Sequence, residues 1–161
     1  MNRMDELTRK ELFSDIDKRT LKYSKKVKGS KYIGITKDFV INMDVPSVTA
    51  DPSTYYRVRI KLIELPDLLD DSTLTTEEKL RLSLDGDIKI SCTCPAYTFW
   101  GYKYITTQLS ANESDPENRF PHIRNKNLEG TLCKHAYVAA RSMGRVWKRI
   151  AKDIDTMNYI E

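Results

Sequence analysis

The sequence predicts an α+β fold: a small antiparallel sheet ending in a hairpin that carries a metal-binding knuckle, packed on a C-terminal helix, with a short N-terminal helix ahead of it. Three observations predict it. Residues 55–65 alternate, with Tyr56, Val58, Ile60, Leu62 and Glu64 on one side and Tyr55, Arg57, Arg59, Lys61 and Ile63 on the other. That is the two-residue period of a half-buried strand. Residues 134–153 set Ala136, Val138, Ala139, Ala140, Met143, Val146, Trp147 and Ile150 at helical spacing, the apolar stripe of a packed helix. Between these two stretches, Cys92-Thr93-Cys94-Pro95 and Cys133-Lys134-His135 use every cysteine of the chain and one of its two histidines.

Taken in order, residues 5–21 read as a short helix. Leu7, Leu12, Phe13 and Ile16 fall on one side, and Thr8 with Glu11 matches a capping box. A helix this short is marginal alone and must dock on its own domain or on a partner. Residues 31–36 and 38–45 read as strands, with Tyr32, Ile33, Ile35, Phe39, Val40 and Ile41 as their apolar members. Pro46 and Asp51-Pro52-Ser53 mark a loop before the strand at 55–65, which Pro66 stops. Residues 67–76 read as a polar loop, followed by a helical turn at Thr76-Glu77-Glu78. Leu80, Leu82 and Leu84 then alternate, Asp85-Gly86 signals a tight turn, and Ile88 and Ile90 alternate again into Cys92. This reads as a hairpin that delivers the first knuckle, with Cys92 and Cys94 on one side.

Pro95 suits a first helical position, and residues 96–108 continue the helix. Tyr97, Trp100 and Tyr104 share one face of it, as core or as a lid over the metal site, and Gly101 marks a kink or a close approach. Residues 110–130 form a long polar segment that Phe120, Ile123 and Leu128 are expected to pin down. Segments of that length are usually functional or partner-bound. His122 lies within it and is expected at the solvent-facing surface, the one substitute ligand should His135 not serve. The C-terminal helix carries Arg141, Arg145, Lys148, Arg149 and Lys152, which complement its dipole without need of nucleic acid.

The chain has 161 residues, 40% hydrophobic and 31% charged, with a net charge of +4. That length suffices for one core. The expected division is an N-terminal helix and basic arm over residues 1–30, then one α+β domain over 31–161 whose metal-binding finger spans about 80–140. No apolar run is long enough for a membrane span, and Met1-Asn2-Arg3-Met4-Asp5-Glu6 lacks the apolar core of a secretory signal. An odd number of cysteines argues for a reducing compartment and metal binding over a disulfide framework.

Zinc takes four ligands about 2.0–2.3 Å away in a tetrahedron, and Cys3His is one of the sets that closed sites use. Cys92 and Cys94 supply one edge. Cys133, just before a helix, and His135, in its first turn, supply the other. The alternative is three buried cysteines and a core histidine without metal; two knuckles together favour one structural zinc. Four protein ligands leave no open position for hydrolytic chemistry.

A Cys-x-Cys knuckle followed by Cys-x-His resembles the SWIM type of zinc finger, over about residues 80–140. The resemblance implies a strand-strand-helix zinc fold used for contacts with DNA or other proteins, with Cys92, Cys94, Cys133 and His135 as the ligands. Residues 95–132 make the interval between knuckles long for that family. With the aromatic residues of 97–104, the Asn-rich 125–127 and the Gly-x-x-Cys-Lys-His of 130–135, the chain is similar to small SWIM-like proteins of tailed bacteriophages.

Two kinds of function follow as expectations. One is a non-enzymatic assembly component of a bacteriophage virion, partnered by other protein subunits and located in the virion or the host cytoplasm. The other is a nucleic-acid-binding accessory protein. The basic run at 18–37 supplies Lys18, Arg19, Lys22, Lys25, Lys26, Lys28, Lys31 and Lys37 without an acid. It reads as a phosphate-binding arm, a dock for an acidic protein, or a solvated linker. Arg57, Arg59 and Lys61 add a basic strand face. No nucleophile-base arrangement or Gly-rich phosphate loop is visible, and Glu77-Glu78 and Asp70-Asp71 read as solvated acids, so no enzyme and no small-molecule substrate are expected.

Overall fold

The computed structural model describes residues 7–48, 51 and 53–161. The chain runs β1 (Leu7–Thr8), α1 (Arg9–Ser14), α2 (Lys18–Ser24), β2 (Lys31–Ile35), β3 (Val40–Pro46), β4 (Tyr55–Leu62), α3 (Leu65–Leu69) and α4 (Thr76–Asp85). It continues through β5 (Asp87–Cys92), α5 (Pro95–Phe99), α6 (Tyr102–Gln108), α7 (Lys134–Arg141), a 3-10 turn (Ser142–Arg145) and α8 (Trp147–Asp155). The five strands form one antiparallel sheet in the order β1-β5-β4-β3-β2. The fold class is α+β, as the sequence predicts.

Register explains where the core sits. Ile41 pairs with Ile60, Met43 with Val58, Ile60 with Ile90, and Val58 with Cys92. Paired residues point to the same side of a sheet, so one face is apolar and ends in a thiol. All of these side chains are buried, each worth about 1.5–3 kcal/mol for the larger aliphatics. Helix α7 lies across β3, β4 and β5 on this face, α8 packs on β2 and α4, and α4 packs on β5. The opposite face carries Asp44, Arg57, Arg59, Lys61 and Lys89, all half-buried.

Several elements differ from the sequence-based expectation, each for a local reason. Residues 5–21 are not one helix: Leu7–Thr8 pairs with Asp87 and Ile88 as an edge strand, and Asp17 starts a second helix by accepting a hydrogen bond from the Thr20 amide at 3.3 Å. Asp5, Glu6 and the side chains behind the Thr8-Glu11 capping box lie outside the described residues. The strand at 55–65 stops at Leu62, short of Pro66, which sits in the first turn of α3 and opens a helix in place of closing the strand.

The expected hairpin at 80–92 does not form. Its first arm is α4, held by a capping box in which Thr75 Oγ1 accepts from the Glu78 amide at 3.1 Å and the Thr75 amide donates to Glu78 Oε2 at 3.0 Å. Lys79, Leu80, Ser83 and Leu84 are buried while Leu82 is half exposed, the pattern of one helical face. β5 therefore pairs with β4, its neighbour across two helices, and Gly86 caps α4 in place of a hairpin turn.

The aromatic helix at 96–108 breaks into α5 and α6 at Gly101, where φ is +92° and an added Cβ would meet the Pro121 ring at 2.6 Å. Both the dihedral and the approach require glycine. Tyr97 is fully buried, its hydroxyl 2.8 Å from Asn112 Oδ1, 2.9 Å from Thr106 Oγ1 and 3.0 Å from the Ile90 carbonyl. In the long polar segment Leu128 packs on the core and Phe120 meets Tyr104 edge-on at 5.6 Å, but Ile123 is 93% exposed and pins nothing. The C-terminal helix is interrupted at 142–145 by the 3-10 turn around Gly144. Among the described residues no helix is long and apolar enough to cross a membrane.

Gly101→Ala should lower stability by about 1–3 kcal/mol, from a non-glycine residue held at positive φ against a proline ring. Urea unfolding measures it; an unchanged midpoint would show that the α5–α6 turn has another conformation open to it.

Candidate metal centre

Cys92 is the last residue of β5, and strand alternation turns its side chain onto the buried face. The ladder runs one step further, with the Thr93 amide donating to the Arg57 carbonyl at 3.1 Å and the Arg57 amide to Thr93 Oγ1 at 2.9 Å. The chain then turns into α5 with Cys94 as its N-cap, at φ −70° and ψ 152°. Cys133 is the N-cap of α7 with nearly the same backbone, φ −73° and ψ 166°. Each of these thiols accepts a hydrogen bond from the amide three residues on, Tyr97 to Cys94 and Ala136 to Cys133, both at 3.4 Å. The Cys94 amide also donates to Cys92 Sγ at 3.5 Å. The two knuckles are one device used twice: sulfur in the place of the usual serine or aspartate oxygen at a helix start.

His135 lies in the first turn of α7 and completes the group. One ligand atom from each of Cys92, Cys94, Cys133 and His135 lies within 4.8 Å of the others, and all four residues are buried. A zinc tetrahedron with ordinary bond lengths has edges of about 3.3–3.8 Å. Closing on that geometry needs side-chain movements on the order of 1 Å.

Electrostatics says why a cation belongs there. Burial pushes the Cys92 and Cys133 thiols well above the ordinary range, while hydrogen bonds from Cys133 and Cys92 draw Cys94 far below it. Three sulfurs so close and so buried oppose one another's ionisation unless a cation stands among them. His135 is 1% exposed, yet neither Nδ1 nor Nε2 has a hydrogen-bond partner among the described residues. An unsatisfied buried polar group costs about 1–3 kcal/mol. A divalent cation removes both penalties, taking the lone pair of one imidazole nitrogen and the charge of three thiolates. The imidazole ring is set by Tyr56, whose centroid lies 4.9 Å away. His122 is exposed, stacked on Phe120 at 5.0 Å, and has no part in the group.

The remaining sequence-predicted site residues divide into two sets. On the sheet, Arg57 is paired with Asp44, and Arg59 reaches Glu113 at 3.4 Å. Their charge is thus answered within the chain. Lys61 faces Lys89 across the strands and has no ion pair among the described residues. Of the N-terminal set, Lys18, Lys22, Lys25, Lys26 and Lys28 are exposed, whereas the Arg19 guanidinium lies 4.2 Å from the centre of the Trp100 ring. None of these six makes an ion pair among the described residues.

The N-terminal helices are not free to serve as a partner-seeking arm. Leu12 is fully buried, Phe13 packs on Tyr137 at 5.4 Å, and Ile16 lies against the core. Four further residues tie this corner to the second knuckle, and sequence reading misses them. Thr20 Oγ1 donates to the Leu132 carbonyl at 2.7 Å, and Thr131 Oγ1 to the Leu12 carbonyl at 2.6 Å. Tyr102 donates its hydroxyl to Asp17 Oδ2 at 2.7 Å. Gly130, at φ +81°, passes so close to Asp17 that a Cβ would lie 2.9 Å from its side chain. The one available signal is Asp17 three residues before Thr20, an N-cap within a supposed continuous helix.

Comparisons of the chain with protein-family models, with curated proteins and with solved structures gave no match.

Chelation of the purified protein should expose all three cysteines to a thiol reagent and lower the urea midpoint, since whatever binds only the folded state stabilises it. Thiol reactivity indifferent to chelator would mean that no metal is protecting the cluster.

Proposed function

We propose that Cys92, Cys94, Cys133 and His135 hold one structural zinc, and that the chain is a non-enzymatic interaction protein whose fold this ion fastens. The observation that carries this reading is the convergence of three buried thiols on a buried imidazole whose nitrogens have no hydrogen-bond partner among the described residues. Thiolate and imidazole donors in a set of four suit zinc best among common divalent ions. With four protein ligands, all buried, the ion would meet no water to activate, so its contribution would be to the fold.

The setting that we propose is assembly, as a component of a bacteriophage virion bound to other protein subunits, in keeping with the similarity of residues 97–104, 125–127 and 130–135 to small SWIM-like proteins of tailed bacteriophages. What supports an interaction role is a fold in which polar, irregular chain at 110–130 is held against the knuckles while aromatic side chains stay exposed near them, Phe99 at 70% among them.

Elemental analysis of the intact chain should return close to one zinc per protein, and cobalt in its place should give the intense visible bands of a tetrahedral thiolate site. Cys133→Ser should lose most of the metal and destabilise the protein by several kcal/mol. Stoichiometric binding of iron, or no metal at all, would overturn the assignment.

A further inference from the structure

Beside the metal centre is a cleft of about 190 Å³, with Cys94 and His135 in its floor. Arg19, Arg124 and Lys134 line it together with Phe99 and Trp100. Lys134 is only 8% exposed and has no hydrogen bond or ion pair among the described residues. Arg19 and Arg124 also lack an ion pair among the described residues. Lys22 and Lys26 stand next to this group, their ammonium nitrogens 5.6 and 5.3 Å from the Tyr23 ring centre that Lys134 approaches at 6.0 Å.

The metal itself accounts for only part of this charge. Zinc with three thiolates and one neutral imidazole carries a net charge of −1, which one cation balances. Arg19, Lys22, Lys26, Arg124 and Lys134 supply five, so a surplus remains, gathered on one side of the molecule with a nearly buried member. Aromatic surface is interleaved with it. The Arg19 guanidinium carbon sits over Trp100, 4.2 Å from the ring centre, and Phe99 stands 70% exposed on the rim. Cations ranged about exposed rings suit a ligand that is anionic and has planar faces.

We infer that this cleft binds a nucleoside phosphate, either free or within a single strand: Lys134, Arg19 and Arg124 take the phosphate and Phe99 stacks on the base. An acidic peptide would answer the charge but leave Phe99 unused. Duplex nucleic acid buries its bases and would likewise not engage Phe99. The inference rests on the structural-zinc reading to the extent that the metal sets the floor of the cleft.

The test uses the full-length chain with its metal content measured on the same sample. Fluorescence anisotropy would follow a short single-stranded oligothymidylate, with AMP, duplex DNA and polyglutamate as competitors over a salt series. The oligonucleotide or AMP should bind, more weakly as salt rises. Phe99→Ala should weaken binding about tenfold, the scale of one base stack, and so should Arg19→Ala or Arg124→Ala. Lys61→Ala, on the far face of the sheet, should change nothing. Competition by AMP would make the ligand a free nucleotide; binding of the oligonucleotide alone would make it a strand. Both support the inference.

Absence of binding by metal-loaded protein overturns the inference and leaves the zinc reading standing. Binding by metal-free, folded protein does the reverse. Polyglutamate competing as well as the oligonucleotide, with Phe99→Ala unaffected, would overturn it in favour of an acidic protein partner. Arg124 and Phe99 are exposed, so loss of folding does not stand in for loss of binding at those two positions.

Discussion

Two helix starts must meet at one point, and most of the molecule is arranged to make them do so. Cys94 caps α5 at the end of the sheet, and Cys133 caps α7 almost forty positions later in the chain. Each cap fixes a sulfur by an amide of its own first turn. Neither fixes the other. Their meeting depends on β5 being held in register by β4, and on residues 130–132 being held by the N-terminal corner through Thr20, Thr131 and the close passage of Gly130 past Asp17. A tetrahedral ion tolerates little error in ligand position, so the clamp on this short segment matters more than its few hydrogen bonds suggest.

The N-terminal basic stretch takes on a different character from this geometry. As a run of lysines and one arginine it reads as an appendage. In the folded chain Tyr32 and Ile35 are sunk in the core, Val27 packs against it, and the fully buried Thr20 braces the knuckle. The charges are thereby held at fixed places on a rigid surface, next to Trp100 and Tyr23. A fixed array of cations loses less entropy on binding than a flexible tail does, and it discriminates by shape as well as by charge.

Much of the sheet was legible because its period is simple. β4 alternates without interruption, and β3 beside it and β2 at the sheet edge stand out by their branched and aromatic residues. The four residues of the cluster were legible because cysteine is rare and the paired knuckles leave few other uses for it. α4 was misread because Leu80, Leu82 and Leu84 alternate like a strand, although Leu82 faces solvent; the capping residues Thr75 and Glu78 carried the correct signal. Thr20, Thr131 and Tyr102 were not legible, and Asp17 only as a local helix cap. The first three are lone polar residues whose partners lie far along the chain, and no local spacing announces a contact made across 112 positions.

That separation has a consequence for how the protein is made. Translation adds about 5–20 residues per second, so the Thr20–Leu132 contact, 112 residues apart, cannot form until roughly 6–22 s after Thr20 is joined to the chain. Through that interval α1 and α2 have no seat, Leu12 has no core, and Cys92 and Cys94 wait without their other two ligands. The antiparallel strands β2 to β4 are local and can pair early, but the closing contacts are of high order and come last. The nascent chain therefore passes through a stage in which its thiols and its buried N-terminal residue Leu12 are open to the cell, and closure of the Cys92, Cys94, Cys133 and His135 cluster is the step that ends this exposure.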